Sequence, residues 1–552
     1  MTIDYLTRPR PLSPRQDILP VIIGGDFGVY GIGRCFNEAF GCRCICVGSQ
    51  PTESITRSHF FDVRHVSAHA TDAQLLDTLM MIAGEFPDKK LILMANHDIF
   101  SAFVARNMDK LSRHYALPFP NLEVMERLTD KAEFARACER AGIDTPGTVV
   151  VDFSNATDEA WAAQEIPFTF PVVAKAANGE PYDVLEFEGK RKIWFIDTPE
   201  ELTQLWKTLK DAGFRDTFLV QELIPGDNTA MRSITAYVDS RGEVTLIGSA
   251  RVLLEDHAPT MIGNPVAMIT ENFPALWKDA CTLLTENGYR GFANFDVKID
   301  PRDGRAVFFE VNPRIGRNNW YMAAAGANPM IPMVADLIDG QACEQTQAKD
   351  EILYTLVPDS LLLRYIIDTD LRARVKRIIR EGRRFDLLLN PTETDPHRNL
   401  TVWLQKQNHR RKFARYYPKP TETSYLGGHP PEGTAPETRP RPRQRGSSPC
   451  YTDHLPTRDR HLQQTEDTMT TTSLVPISQE DKTAAVSGFQ DRSLPIEHTC
   501  VWETFEKSQG HGVWGRYAWC EDDTKVAFIT LYKYAVRGVH YLWAKWGPAW
   551  VK

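Results

Sequence analysis

The stretch FFEVNPRIGRNNW, Phe308 to Trp320, sets a carboxylate, an amide and two guanidinium groups at short spacing: Glu310, Asn312, Arg314 and Arg317. In an extended strand, side chains two apart share a face, so Glu310 and Asn312 project together. Both offer oxygen, which hard cations such as Mg²⁺ select. Arg314 and Arg317 lie just beyond and suit phosphate oxygens. A polar strand end with solvated charges is the alternative for this stretch alone. Asp296 lies on a second run, FANFDVKID, joined to RAVFFEVN by the turn PRDG, which reads as a hairpin. Cross-strand neighbours approach within about 5 Å. Three oxygen donors would then surround one or two cations, and two carboxylates pressed together call for a divalent cation between them.

A nucleotide site can be assembled around that hairpin. No G-x-x-x-x-G-K-[ST] is present, which excludes a P-loop. Lys131 starts a helix, and Lys175 ends the apolar strand PVVAK. A lysine closing an apolar strand is costly unless its ammonium meets a partner. The two lysines could hold the phosphates of ATP; a salt bridge or solvent exposure stays open for each. In VQELIPGDN, the backbone around Glu222 and Leu223 could pair with an adenine edge. Gln221 could add a side-chain amide and Asp227 could reach ribose hydroxyls, with an ordinary strand end and turn as the alternative.

These residues need a scaffold. The chain has 552 residues, 42% of them hydrophobic and 25% charged, which reads as soluble, globular and multi-domain. A net charge of −8 argues against a general nucleic-acid binder. The polar start MTIDYLTRPRPLSPRQD is unlike a secretory leader. No apolar run approaches the roughly 20 residues that span a bilayer. Cys42, Cys44 and Cys46 share one strand face, and their C-x-C spacing favours buried thiols over a zinc knuckle and implies a reducing cytoplasm.

Residues 1–118 read as α/β, with strands in ILPVIIGGD, CICVG and KLILMANHD and a helix in GVYGIGRCFNEAFG. Gly28, Gly31 and Gly33 do not form G-x-G-x-x-G, so the turn is a sheet-packing device or a substrate site, not a dinucleotide fingerprint. A second α/β region covers 119–345, with its division at 222–223. It opens on TDKAEFARACERAGIDTP, where Thr129 or Asp130 caps the helix. Residues 346–420 read as helical and arginine-rich. The segment 421–480 is dense in Pro, Thr, Arg and Gln and reads as a disordered linker. Residues 481–552 are aromatic again, hold six of the twelve tryptophans, and contain a β-hairpin turning at Arg537–Gly538. A lone hairpin is marginal in water.

A lysine, a second lysine on a strand, an adenine-binding connector and then Asp…Glu-x-Asn is an order of parts that resembles the ATP-grasp superfamily. The resemblance implies a Rossmann-like pre-ATP-grasp domain at 1–118, an N-lobe at 119–222 and a C-lobe carrying the Mg²⁺ site at 223–345. It implies Asp296, Glu310 and Asn312 as ligands of Mg²⁺, with Mn²⁺ an alternative ion, and Arg314 and Arg317 as stabilisers of the transferred phosphate. The stretches PVIIGGDFGVYGIGRCFNEAFG, VQELIPGDN, LLEDHAPTMIGN, GFANFDVKID and FFEVNPRIGR resemble the D-aspartate ligase branch, over about residues 17 to 418. That branch activates D-aspartate as an acyl phosphate and attaches it to the side-chain amine of the third stem residue of a nucleotide-linked peptidoglycan precursor. Glu255, Asp256 and His257 in LLEDHAPTMIGN then become candidates to orient the amine or the second carboxylate, with His257 as a general base; a solvated loop stays equally open. KAANGEPYD departs from the usual Lys-Pro and Gly/Ser-rich flap, with Ala176 after the lysine and one glycine, Gly179. The C-terminal stub resembles the first part of Fem-type peptidyltransferases over about 60 residues, with Met469 where an independent start would lie. It reads as a fusion remnant, or else as a docking module for a cell-wall enzyme. A ligase making another small amide and a silent nucleotide-binding scaffold are the competing functions.

Overall fold

In the computed structural model the described residues are 13–420, except 159–160, 178–181, 183–184, 188, 192, 259–260 and 262; beyond 420 they are 472–478, 480 and strand residues between 512 and 550. The chain divides into two compact units, Met1–Glu437 and Thr438–Lys552.

The first unit begins with a parallel sheet of strands β1 (Ile18–Ile23), β2 (Cys44–Gly48), β3 (Phe61–His65), β4 (Lys90–Ala95) and β5 (Tyr115–Ala116), in the order β3-β2-β1-β4-β5. The strands are almost wholly apolar because both faces are covered: Val21, Ile23 and Leu93 pack to one side, Ile22, Cys44 and Cys46 to the other. Cys42, Cys44 and Cys46 are free and buried, as their spacing suggested. The chain winds from β1 outward through β2 and β3, then returns to the other side of β1 as β4. Loops after β1 and β4 therefore diverge at a crevice, the place where open α/β sheets hold ligands. Asp26 caps the Phe27–Phe40 helix after β1, accepting from the N–H groups of Gly28 and Val29 at 3.0 and 3.2 Å. The glycines of that helix serve close packing. A Cβ on Gly33 would lie 2.2 Å from the Phe61 ring, and one on Gly28 would lie 2.0 Å from Asn96 Nδ2.

Next come two short helices, Leu122–Thr129 and Lys131–Arg140, meeting at Asp130. Asp130 is the cap, accepting from Ala132 and Glu133 N–H at 2.9 Å each, while Thr129 donates back to Met125 O. An antiparallel sheet follows, with strands β6 (Thr148–Asp152), β7 (Val172–Ala176), β8 (Trp194–Ile196) and β9 (Thr217–Glu222) in the order β6-β9-β7-β8. Val172, Ala174, Phe218 and Val220 face a core with Leu202, Leu205 and Trp206 of the Pro199–Asp211 helix. Alternation then leaves Val173, Lys175, Leu219 and Gln221 on the other face.

The largest sheet carries eight strands: β10 (Met231–Val238), β11 (Val244–Glu255), β12 (Pro265–Thr270), β13 (Gly291–Ile299), β14 (Ala306–Asn312), β15 (Thr346–Gln347), β16 (Leu353–Thr355) and β17 (Arg384–Phe385). Seven run in the order β14-β13-β10-β11-β12-β16-β17, and β15 pairs with β11. Ile234, Ala236, Phe295 and Val297 pack under the Leu122–Thr129, Lys131–Arg140 and Pro274–Glu286 helices. The opposite face presents Ser233, Thr235, Asn294, Asp296 and Lys298. The largely helical stretch expected after 345 also holds strands. Helices Asp359–Tyr365, Thr369–Arg380 and Pro396–Tyr416 are present, but β15, β16 and β17 extend the large sheet. Strands of two or three residues are too short to show a period of two.

In the second unit, β18 (Thr472–Pro476), β19 (Gly512–Glu521), β20 (Thr524–Val536) and β21 (Val539–Trp543) form an antiparallel order β18-β19-β20-β21, with β22 (Ala549–Trp550) on β20. The expected hairpin is β20–β21, now one edge of a five-stranded sheet. β18 also corrects the linker boundary, because Thr472–Pro476 was read as part of the linker. Its β-branched residues favour a strand, but they sit within a low-complexity composition. The Arg537–Gly538 turn, Met469, residues 421–471 and Gly179 lie outside the described residues.

Candidate active site

The hairpin β13–β14 carries the acidic cluster. Asn294 pairs with Asn312 and Asp296 with Glu310, whereas Val297 pairs with Phe308. One residue, Phe309, is therefore extra, a β-bulge of the kind that re-aims side chains beside active sites. Asn312 Nδ2 donates to Asp296 Oδ2 at 3.2 Å and to Asn294 O at 3.3 Å. Burial, then the neighbouring Glu310 charge, pushes the Asp296 carboxyl up to about 7, while Arg314 and Asn312 pull against it. Two carboxylates and an amide in this condition are a donor set in want of a cation, and Mg²⁺ fits their oxygen chemistry. Asn312 turns its Nδ2 toward Asp296, so offering Oδ1 to an ion requires rotation of the amide. Among the described residues no three His, Cys, Asp or Glu side chains gather as a metal site, so an ion here would rest on two carboxylates and an amide.

The lysines converge on the same place from two other elements. The Lys175 ammonium on β7 meets that of Lys131 at the start of its helix, and both face Glu310. Burial first and the Lys131 charge second bring Lys175 down to about 8, with Glu310 opposing. Two cations held side by side in partial burial form a site for an anion. A cavity of about 210 Å³ opens beside Lys131, lined by Asp98, Thr129, Lys131, Glu310 and Asn312.

The two arginines are both brought to the crevice of the parallel sheet. Arg314 Nε donates to Asp98 Oδ1 at 2.9 Å and its Nη2 to Asn312 Oδ1 at 3.1 Å. Arg317 Nε donates to Asp26 Oδ2 at 2.7 Å. Asp26 also lines a cavity of about 390 Å³ at the carboxyl ends of β1, β2 and β3, with Gly24, Gly25, Ser49, Gln50 and Thr52.

The connector joins both lobes. Gln221 Nε2 donates to Thr148 Oγ1 at 2.9 Å on the lysine-bearing face. The Glu222 side chain is held by Arg302 and Arg305 at 2.7 and 2.6 Å, from the tip of the β13–β14 hairpin. Leu223 follows directly, and the next carbonyl, that of Ile224, accepts from Lys298 Nζ at 2.9 Å. Asp227 accepts from Thr229 N–H and Oγ1 through Oδ1 at 2.8 and 2.6 Å.

The third expected group separates. Glu255 joins the cleft side, buried with Lys298, and burial raises its carboxyl to about 7 against the pull of that lysine. Asp256 and His257 do not join it. Asp256 pairs with Lys412 at 3.0 Å. His257 stacks on Tyr417 with centroids 3.8 Å apart and packs edge-on to Phe413. Burial brings the His257 imidazole down to about 4. The expectation of a substrate-orienting pair and a histidine base is corrected here: these two residues dock the end of the Pro396–Tyr416 helix.

Lys298, Asp26, Asp98, Arg302 and Arg305 escaped the reading of the sequence. Lys298 was within reach, since it stands two residues from Asp296 on the same strand face. The others act across the fold, and nothing in local spacing points to them.

Residues 130–345 match the family model of the carbamoyl-phosphate synthase L chain, ATP binding domain. The chain is 29% identical over 410 residues to a D-aspartate ligase of Enterococcus faecium, covering 73% of this chain and 97% of that one. It is 22% identical over 362 residues to the carbamoyl phosphate synthase large chain of Haemophilus ducreyi, covering 62% of this chain and 31% of that protein. Among solved structures, it is similar to an ADP complex of N5-carboxyaminoimidazole ribonucleotide synthetase, with a TM-score of 0.43 and 15% identity over 63% of this chain and 82% of the other. A second is an L-amino acid ligase from Bacillus licheniformis, with a TM-score of 0.41 and 16% identity over 59% and 75%.

Proposed function

We propose that this ATP-grasp ligase, an ADP-forming enzyme that joins a carboxylate to an amine, takes D-aspartate as its carboxylate and a nucleotide-linked peptidoglycan precursor as its amine. The observation that carries the chemistry is the convergence of Lys131, Lys175, Asp296, Glu310 and Asn312 from three separate elements on one cleft. Similarity along 97% of a D-aspartate ligase supports the substrate.

Lys131 and Lys175 would hold the phosphates of ATP, with the connector from Gln221 to Leu223 along the adenine and Asp227 at the ribose. Asp296, Glu310 and Asn312 would hold Mg²⁺, which screens negative charge on the phosphates when bound. Arg314 and Arg317 would meet the phosphoryl group in transfer. A carboxylate oxygen of D-aspartate attacks the γ-phosphorus, its bond to ADP breaks, and an acyl phosphate forms. The side-chain amine of the third stem residue then attacks the acyl carbon, phosphate leaves, the amine gives up a proton, and an amide remains. Glu255, buried beside Lys298, would orient the amine. The cytoplasm, where nucleotide-linked precursors and free thiols coexist, is the site of reaction.

The test is phosphate release by the full chain with ATP, Mg²⁺ and a panel of D- and L-amino acids, with and without a UDP-linked muramyl pentapeptide bearing lysine or ornithine. Release that requires both D-aspartate and the precursor is expected. Release with another amino acid, or without the precursor, would favour a ligase of another small amide. No release with any amino acid would favour a nucleotide-binding scaffold.

A further inference from the structure

Away from the cleft, on the helix-covered face of the large sheet, two arginines stand directly opposite each other. Arg232 on β10 and Arg251 on β11 are cross-strand partners. Both guanidinium groups reach the same acceptor: Arg232 Nη1 donates to Thr229 O at 2.8 Å, and Arg251 Nε donates to it at 2.9 Å. Arg232 is 8% exposed, and its Nε is buried with no hydrogen-bond partner. Two like charges sharing one carbonyl in partial burial repel, and each needs a counter-charge.

The surroundings supply one only in part: the Glu271 carboxylate acts on Arg232, whose guanidinium also lies over the Phe273 ring. Arg374, on the Thr369–Arg380 helix, pairs with Glu271 and Glu351. Arg377 and Arg383 pair with Glu351 and Glu381. That network balances itself, three guanidinium groups against three carboxylates. Among the described residues, no ion pair joins Arg232 or Arg251 to it. Burial and the Arg251 charge bring Arg232 down to about 10. Glu271 Oε2 is also buried without a donor, although its other oxygen accepts from Arg374 at 3.1 Å. The locus therefore holds two positive charges answered by one carboxylate already shared with Arg374, and one oxygen of that carboxylate in want of a hydrogen.

We propose that Arg232, Arg251 and Glu271 form a second anion site, distinct from the ATP cleft, for inorganic hydrogen phosphate, HPO4²⁻. Two negative charges answer Arg232 and Arg251, with guanidinium geometry suited to phosphate oxygens. The phosphate O–H donates to Glu271 Oε2. Glu271 and Arg374 are partly exposed, so the locus opens to solvent. The Thr229 carbonyl held by both arginines belongs to the turn that Asp227 caps. Occupancy would thus stiffen one wall of the nucleotide site.

The experiment is calorimetric titration of the full chain, its cleft saturated with Mg²⁺ and a non-hydrolysable ATP analogue, with inorganic phosphate and separately with methyl phosphate. Wild type binds one equivalent, and Arg251→Gln weakens binding at least tenfold. Arg251→Lys recovers part of the affinity. Methyl phosphate, whose dianion lacks an O–H, binds more weakly than inorganic phosphate; equal or tighter binding of methyl phosphate overturns the role given to Glu271. No binding of either by saturated wild type overturns the proposal, as does equal affinity in Arg251→Gln. Should Arg251→Gln fail to fold, the wild-type titrations alone decide.

Discussion

Replacing Lys175 by methionine should make the protein more stable and, in the same stroke, unable to hold nucleotide. The Lys175 ammonium is held near 8 instead of 10.5, chiefly by burial and then by Lys131. At about 1.4 kcal/mol per tenfold change in proton affinity, that depression costs the native state roughly 3 kcal/mol wherever lysine is charged in both native and unfolded chains. The sign is fixed by linkage. Below pH 8 the cost is present in full. Between 8 and 10.5 the unfolded chain binds more protons than the native one, so wild-type stability climbs with pH and the cost fades. Methionine keeps the length of the side chain and removes the charge. The assay is urea denaturation of nucleotide-free protein at pH 7 and pH 9.5, following tryptophan fluorescence. Lys175→Met should exceed wild type by about 1–3 kcal/mol at pH 7, and the gap should narrow at pH 9.5. Saturating Mg·ATP at a hundred times its dissociation constant adds about 2.7 kcal/mol to wild type, and should add nothing measurable to the variant. A variant less stable than wild type at pH 7, or a gap indifferent to pH, would refute the claim that these two lysines are held together at a cost to stability.

The remaining predictions concern the hairpin and the first helix. Glu310→Gln should lower turnover by roughly two orders of magnitude or more, as expected for loss of an electrostatic group acting on phosphoryl transfer, read from initial rates at saturating substrates. Mg²⁺ affinity measured without nucleotide should fall about fivefold from pH 7 to pH 6, because Asp296, raised to about 7 by burial and Glu310, must shed its proton before it can bind the ion; a flat profile would exclude it as a ligand. Gly33→Ala should cost roughly 1–3 kcal/mol by overpacking against Phe61, seen as a lower urea midpoint with turnover per folded molecule unchanged.

Period-of-two reasoning set Glu310 and Asn312 on one face, but Asp296 joins that face only through the bulge at Phe309, which shifts the pairing from Val297–Phe308 to Asp296–Glu310. It did not show the bulge at Phe309, since one extra residue in an apolar run leaves no mark in composition. The lysines were legible because each breaks a local rule, one opening a helix and the other closing an apolar strand. His257 misled for the opposite reason. A histidine directly after two acidic residues suggests chemistry, and only the approach of Tyr417, 160 positions later in the chain, reveals it as an aromatic packing surface. β15, β16 and β17 were lost within a helical, arginine-rich stretch because their pairing comes from the large sheet, not from their own residues.

Arg314 and Arg317 are moored to Asp98 and Asp26 at the tips of two neighbouring strands. With both guanidinium groups so engaged, the crevice is close to neutral and holds little attraction for stray oxyanions. An incoming acidic ligand must take the place of an aspartate, so it succeeds only if it offers the arginines better geometry than a carboxylate already in position. The aspartates thus act as a gate on occupancy: loss of either one should make the crevice stickier and less discriminating, a gain in affinity that comes with a loss of choice.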